Sequence, residues 1–202
     1  MRNRILFLAL AVALLTLVPA ASANSVGFNL SCGGTSCGTV KITDISGGVS
    51  VQVTMTGGYS SQAQANSGGV LINTIGGLTL SLNSFSTELG SSSAHLNAGV
   101  NNGSGSFTWG VVKFGLPHGN TSVSDVSFNL TGLSVANLLA NGNSNVVSVH
   151  YCSPGSPANS CPSPTGFATS TQIPSVPEPG TLSLLGTGLI GLAGLARRRF
   201  LR

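Results

Sequence analysis

The chain has 202 residues, and its eight lysines and arginines against four acidic residues give a formal net charge of +4. Six of the eight cations lie in the first four or the last six residues, whereas residues 24–175 carry two cations and three anions, a net charge of −1. The excess positive charge is therefore located at the two chain ends. The rest of the chain lacks the cationic surface that nucleic-acid binding needs. The length suits one domain with short targeting segments.

Residues 1–23 have the layout of a secretory signal peptide. Two arginines within the first four residues precede an apolar run over residues 5–18, and Ala21 and Ala23 form a small-x-small cleavage site. The run has 14 residues, which is shorter than the roughly 20 that a spanning helix needs. We therefore expect export through the Sec translocon and cleavage after Ala23 by signal peptidase.

Residues 24–167 show the pattern of an exported β-rich domain. Gly-Gly pairs recur at intervals of 8 to 14 residues, and glycine supplies the positive-φ positions that tight turns need. Between these pairs, apolar and polar residues alternate, which is typical of half-buried antiparallel strands. The alternating apolar positions are Val49, Val51, Val53 and Met55; Leu78, Leu80 and Leu82; Val126, Phe128 and Leu130; and Val147, Val149 and Tyr151.

Two further elements complete the predicted domain. Phe107, Trp109 and Val111 start a strand whose phase then slips, which indicates a bulge or a strand buried on both faces. A short helical turn is predicted with Ser134 as its N-cap and Gly142 as its stop. Together these elements predict a single all-β domain, an antiparallel sandwich of jelly-roll-like or immunoglobulin-like type. A solenoid is the alternative, because the Gly-Gly pairs recur.

The chain has four cysteines, Cys32, Cys37, Cys152 and Cys161. An even number in an exported chain indicates disulfide bonds, and four cysteines allow three pairings. We favour two local pairs, although a bridge between the first two and the last two cysteines would instead tie the ends of the domain together. The spacing of the second pair is not typical of zinc sites, so we expect no metal.

The histidines His95, His118 and His150 are isolated in the sequence. His150 is out of phase with the apolar residues of its strand, so we expect it to face solvent or the domain rim. A Ser-His-Asp set can be written around His150 and Asp125, but the sequence has no Gly-x-Ser-x-Gly turn. The scarcity of carboxylates also disfavours a glycosidase pair or a calcium site. We expect no catalytic residues and no cofactor.

The C-terminal part divides into a spacer, an apolar run and a basic tail. A proline-rich spacer begins near residue 153, and a linker over residues 168–176 leads to the signal Pro177, Glu178 and Pro179. The apolar run over residues 180–196 has 17 residues, about 25 Å as a helix against a hydrocarbon core of about 30 Å. The pattern predicts a transmembrane helix whose tail stays in the cytoplasm by the positive-inside rule. That tail carries Arg197, Arg198, Arg199 and Arg202.

The Pro-Glu-Pro tripeptide, the glycine-bearing hydrophobic segment and the arginine cluster together resemble the PEP-CTERM protein-sorting domain. The resemblance covers residues 174–202. It implies that an exosortase, an integral-membrane transpeptidase of the cysteine-protease type, recognises Pro177, Glu178 and Pro179. The enzyme would supply the nucleophile, so these three residues are recognition elements. Such tags occur in Gram-negative bacteria that make exopolysaccharide.

These features predict an exported protein that is transiently anchored in the membrane and then reaches the cell surface or the extracellular space. We expect a non-catalytic structural or matrix-associated component of the exopolysaccharide envelope. The alternative is a polysaccharide-binding or adhesion module that uses Tyr59, Trp109 or Tyr151, although Trp109 lies in an apolar strand and is expected to pack in the core. A secreted hydrolase is less favoured, because no catalytic constellation is evident.

Overall fold

The computed structural model describes residues 24–62, 69–87, 94–112, 122–155 and 165–170, and also Gly188. The predicted signal peptide, the Pro-Glu-Pro signal, the basic tail and the rest of the predicted membrane helix lie outside these residues. Within the described part of the chain, no helix has the length and hydrophobicity needed to cross a membrane. The strands all belong to the unit that runs from Asn24 to Val176.

Glycine turns divide the exported segment into antiparallel strands rich in valine, serine and threonine. The strands of the described residues are β1 (Ser25–Cys32), β2 (Thr35–Ile45), β3 (Gly48–Met55), β4 (Ser60–Gln62), β5 (Val70–Ile72), β6 (Ser81–Thr87), β7 (His95–Asn102), β8 (Gly105–Val112), β9 (Ser122–Val123), β10 (Asp125–Thr131), β11 (Val147–Cys152) and β12 (Thr165–Ser170). A 3₁₀ turn, η1 (Val135–Asn137), lies between β10 and β11. The prediction of an all-β antiparallel domain is confirmed.

The strands form one hydrogen-bonded sheet in the order β6-β10-β3-β2-β1-β12-β11-β5-β8-β7, while β4 pairs with β11 and β9. The predicted sandwich has two separate sheets, so the structure differs in this respect. The sheet curls, because Val51 of β3 and Val149 of β11 share one core, and its two end strands, β6 and β7, approach each other. Curling of this kind is partly barrel-like and protects strand edges. Strands that neighbour each other are often distant in sequence, unlike the serial stacking of a solenoid.

The alternation predicted for β3 and β10 is present in the structure. Val51 and Val53 of β3 and Phe128 of β10 are buried, whereas Gln52 is exposed. Burial of one such apolar side chain contributes roughly 1.5–3 kcal/mol relative to leaving it exposed. These two paired strands therefore hold one wall of the core.

The strand predicted to start at Leu78 forms later in the chain. β6 begins at Ser81, and Leu80, just before it, is buried. Ser84 has a φ of 52°, and the register of β6 against β10 shifts at the same level. These are the marks of a β-bulge. The bulge changes the phase, so that Phe85 is buried and Ser84 is exposed.

The β7–β8 hairpin folds over the outer face of the sheet. Gly99 in the middle of β7 has a φ of 66°, a conformation that suits glycine and bends the strand. Beyond this bend, Val100 and Phe107 pack on Leu71 of β5 in a second apolar cluster. Leu71 faces away from the main core, because both of its neighbours in β5 belong to that core. Within β8, Phe107 joins this outer cluster while Val111 lies in the main core. The predicted phase slip after Val111 continues into residues outside the described part of the chain.

Polar contacts hold the tip of this hairpin against β11. The side-chain amide of Asn102 donates to the Ser148 hydroxyl at 3.4 Å, and that hydroxyl donates to the hydroxyl of Ser104 at 3.3 Å. The carbonyl of Ser104 accepts from the side chains of Asn143 and Asn145 at 3.1 and 2.9 Å. Buried polar groups need such partners. The hairpin tip therefore covers part of the outer face of β11.

The helical turn predicted after Ser134 is present but short. In η1, the amide and the hydroxyl of Ser134 both donate to Asn137 Oδ1, at 3.0 and 2.7 Å. Asp44 Oδ1 accepts from the amide of Val135 at 2.7 Å, which satisfies a donor that the turn leaves unpaired. The turn ends at its third residue, well before the predicted stop at Gly142.

Candidate functional site

Three uncharged turns lie together at one end of the sheet, and we name them the turn cluster. They are Gly33–Gly34 between β1 and β2, Gly57–Gly58 between β3 and β4, and Ser153–Gly155 after β11. The four glycines have φ values between 59° and 93°, which explains why glycine occupies these positions. The second and third turns are in contact, because a Cβ atom added at Gly58 would lie 3.2 Å from Cβ of Pro154.

A disulfide bond closes the first of these turns. Cys32 and Cys37 are joined with an S–S distance of 1.97 Å and a Cα–Cα distance of 5.8 Å, and both residues are buried. The first of the two predicted local pairs is therefore present, and such a bond restricts the unfolded chain. Cys152 is disulfide-bonded as well. Its predicted partner, Cys161, lies outside the described residues.

Tyr59 and Tyr151 form an aromatic pair beside the turn cluster. Their ring centroids are 5.7 Å apart and the rings are inclined at 74°, an edge-to-face arrangement that aromatic rings favour. Both rings are half-buried and pack against the main core. The ring of Tyr151 lies over Gly166 of β12, where a Cβ atom would be 3.0 Å from Cε1, and its hydroxyl reaches to 3.9 Å from the Cβ position of Gly33. The pair is thus held in place by its neighbours while both residues stay partly exposed.

Ser61 lies next to this pair on the same face of the sheet. It is directly opposite Tyr151 in the pairing of β4 with β11, and it follows Tyr59 by two residues. Ser61 is fully buried, and within the described residues its hydroxyl has no hydrogen-bond partner. Leaving a buried hydroxyl unpaired costs roughly 1–3 kcal/mol. Among the described residues, the end of the sheet that carries the aromatic pair therefore also holds a buried hydroxyl without a hydrogen-bond partner.

His150 is buried, so the prediction that it faces solvent or the rim is wrong. Only 3% of the residue is exposed, and its ring lies 5.0 Å from the ring of Phe167 in β12. β4 ends and β5 begins beside His150. Its amide donates to the carbonyl of Gly69 at 2.9 Å, and its Nδ1 lies 3.0 Å from the carbonyl of Gln62. The outer face of β11 is polar, but Phe167 and the hairpin tip cover it.

The contacts of His150 suit a structural role. A carbonyl oxygen only accepts hydrogen bonds, so Nδ1 carries the proton in the neutral ring. Burial lowers the pKa of His150 below its usual 6.5, and the hydrogen bond to the backbone of Gln62 opposes this with a smaller effect. A Ser-His-Asp set needs a carboxylate on this nitrogen, and here the nitrogen is bonded to the backbone instead.

The two described carboxylates also serve the fold. Asp44 accepts from the backbone at the start of η1. Asp125 accepts from the hydroxyls of Thr54 and Ser124, at 2.9 and 3.3 Å. Across the described ranges, no three His, Cys, Asp or Glu side chains are grouped so that they could hold a metal ion. Glu88 lies outside those ranges.

The C-terminal sorting features of the sequence have a counterpart among known protein families. Residues 175–199 match the PEP-CTERM protein-sorting motif. The chain carries a PEP-CTERM sorting motif. The motif marks the protein for export and for exosortase-dependent sorting to the cell surface or the extracellular space. Searches of curated proteins and of solved structures found no match to the chain.

The PEP-CTERM match contains the predicted recognition residues Pro177, Glu178 and Pro179. These residues lie outside the described part of the structure, as do the predicted signal-peptide cleavage site and the predicted basic tail. The predicted cleavage-site and tail residues concerned are Ala21, Ala23, Arg197, Arg198, Arg199 and Arg202. Their roles in cleavage and in stop-transfer remain predictions.

Of the three aromatic candidates, the structure brings Tyr59 and Tyr151 together. Trp109 lies in β8, where it is half-buried and packs against the main core, in line with the core packing expected for it. Sequence reasoning missed Ser61 and Gly166, which flank Tyr151. Neither lies in an alternating pattern, so only the strand register reveals them.

Proposed function

We propose that this PEP-CTERM protein is a non-catalytic structural component of the extracellular matrix or envelope. The observation that carries the proposal is that several of the few ionisable side chains described in the protein take part in structural hydrogen bonds. Asp44, Asp125 and His150 each make hydrogen bonds that hold strands or turns in place. Catalytic acids and bases instead need their reactive atoms directed at a substrate.

The outer surface supports the same role. The outward residues of the central strands are mostly hydroxyl and amide side chains, such as Asn29 of β1, Thr39 of β2 and Gln52 of β3, all of which are exposed. Such a surface forms hydrogen bonds with hydroxyl-rich polymers and depends little on ionic strength, because few charges are available to be screened. These are suitable properties for a matrix component.

The proposed route to this destination has three steps. The Sec translocon exports the chain and signal peptidase cleaves it after Ala23. The helix over residues 180–196 then halts in the membrane, with the arginines on the cytoplasmic side. The exosortase reads Pro177, Glu178 and Pro179 and releases the domain. The protein is thus anchored only transiently.

Fractionation of tagged wild-type and Glu178→Ala cells, with and without the exosortase, tests the route. We expect the wild-type protein at the surface or in the medium, without its terminal arginines, and the Glu178→Ala variant in the membrane fraction. Glu88→Ala is the matched control, because it removes another acidic residue of the exported chain. Release of Glu178→Ala at the wild-type level, or extracellular protein that still ends in Arg202, would contradict the proposal.

The non-catalytic role has its own test. The purified exported protein is incubated with neutral and anionic polysaccharides, and products are followed by mass spectrometry. We expect no cleavage. Product formation that His150→Gln or Asp125→Asn abolishes, in variants that still fold, would overturn the structural role and favour a hydrolase.

A further inference from the structure

We propose that the turn cluster, together with Tyr59 and Tyr151, is a binding site for uncharged polysaccharide. The site would hold sugar rings against the two tyrosine rings. This inference rests on the matrix role proposed above and names the chemical class of its partner. It is carried by the geometry of the aromatic pair, by the exposed glycines of the surrounding turns and by the lack of charge in these turns.

The aromatic pair has the geometry for contact with sugars. One face of a sugar ring presents CH groups with a slight positive charge, and the face of an aromatic ring is negative. Tyr59 and Tyr151 are fixed by their mutual contact at 5.7 Å and by packing against the core. Because the rings are already ordered, binding costs little side-chain entropy. Each tyrosine also has a hydroxyl that can exchange hydrogen bonds with sugar hydroxyls.

The glycines of the surrounding turns place no side chain over the two half-buried rings. Gly33, Gly34, Gly57 and Gly58 are exposed and have no side chains that could cover the tyrosines. Their backbone N–H and C=O groups are suitable partners for hydroxyl groups, as in other ligand sites that combine apolar surface with a few polar groups. The disulfide bond of the first turn restricts its movement and keeps this surface preformed.

The charges of the described residues favour a neutral ligand. The turn cluster has no ionisable side chain, and the only ionisable side chains of the proposed site are those of Tyr59 and Tyr151 beside it. Lys41 is the only lysine or arginine within the described ranges, and it lies in β2 opposite Gln52, away from the turns at the strand end. An anionic polysaccharide would gain little electrostatic attraction here. The site is therefore expected to prefer uncharged chains.

Affinity electrophoresis of the purified exported protein tests the proposal. Native gels contain hydroxyethyl cellulose, dextran or guar galactomannan as neutral probes, and alginate as an anionic probe. We expect retardation by at least one neutral polymer and none by alginate. Since truncation of a central aromatic typically costs more than 1 kcal/mol, Tyr59→Ala and Tyr151→Ala should each bind about tenfold more weakly.

Three controls make the result decisive. Trp109→Ala removes an aromatic ring outside the turn cluster and should leave retardation unchanged. Tyr59→Phe and Tyr151→Phe keep the rings and should retain most of the binding, and thermal unfolding shows which variants are folded. Retardation by no neutral polymer, or retardation that persists in folded Tyr→Ala variants, would overturn the glycan site while leaving the sorting and structural role intact. Cleavage of the polymers would instead contradict the non-catalytic function.

Discussion

β3 and β11 have the same alternation of apolar and polar residues, but only β3 leaves its polar residues in water. In β3, Val51 is buried and Gln52 is exposed. In β11, Val149 is buried in the main core, and Ser148 and His150 on the opposite face are buried as well. Alternation therefore identifies the residues that share a face. Whether the polar face is exposed to solvent depends on which other elements pack over it.

The covering layer on β11 comes from distant parts of the chain. Phe167 of β12 lies against His150, and the tip of the β7–β8 hairpin makes hydrogen bonds with Ser148. The hairpin reaches this position because β7 bends at Gly99. If the hairpin is packed on the folded sheet, substitutions beneath it should cost more than substitutions at open positions, and the first two predictions test this.

The largest effect is expected for Leu71→Ala. Leu71 is fully buried beneath the hairpin, so its truncation should lower the free energy of unfolding by about 2–5 kcal/mol. Urea unfolding measures the change. Ile75→Ala is the control, because Ile75 is 42% exposed and its truncation should change stability by no more than about 0.5 kcal/mol. Equal small effects of the two substitutions would show that the hairpin does not pack on β5.

Gly110→Ala should have the next largest effect. A Cβ atom at Gly110 would lie 2.6 Å from Cδ2 of Leu71 and 2.8 Å from Cγ2 of Val100. Leu71 can rotate, but a β-branched valine has little freedom, so we expect a loss of about 1–3 kcal/mol from overpacking. Gly27→Ala in β1 is the matched control, since nothing lies within 4 Å of its Cβ position. If both variants melt at the wild-type temperature, the hairpin does not lie as close to β5 at Gly110 as the structure indicates.

The same contrast explains how much could be predicted from the sequence. The β3 pattern was reliable because one face of that strand is open to water. The Cys32–Cys37 bond was the favoured choice among the possible pairings, because the loop between the two cysteines is short. His150 was misplaced because a polar residue on an alternating strand predicts exposure. The sequence around His150 gives no sign that the β7–β8 hairpin covers the outer face of β11. The aromatic pair was foreseen only as separate residues, because its assembly depends on the register of β4 and β12 with β11.

The burial of His150 predicts a dependence of stability on pH. Because burial lowers the pKa of His150 in the folded protein, the unfolded chain binds a proton at a higher pH than the folded chain does. The free energy of unfolding should therefore be fully retained above about pH 7.5 and should fall as the pH drops through about 6.5, the ordinary pKa of histidine, towards the lower folded value. Urea midpoints measured between pH 8 and pH 5 give this slope.

His150→Gln should flatten the slope, because its amide does not titrate. His95→Gln, which alters an exposed histidine and keeps His150 in place, is the matched control. A slope that is the same in the wild type and in His150→Gln would show that another group causes it, and the assignment of a neutral, buried ring would then be incorrect.

The smallest effects are expected when a polar residue is truncated to alanine on the polar face of β11 and on that of β3. Ser148→Ala removes the hydroxyl that joins Asn102 and Ser104. It should cost about 1 kcal/mol, because the buried Ser104 and the half-buried Asn102 each lose a hydrogen bond. Gln52→Ala, at an exposed position of β3, should change stability by no more than about 0.5 kcal/mol. Unfolding of the two variants under the same conditions compares the faces. If Gln52→Ala proved as costly as Ser148→Ala, the polar face of β3 would also have to be covered, and the contrast between the two strands would no longer hold.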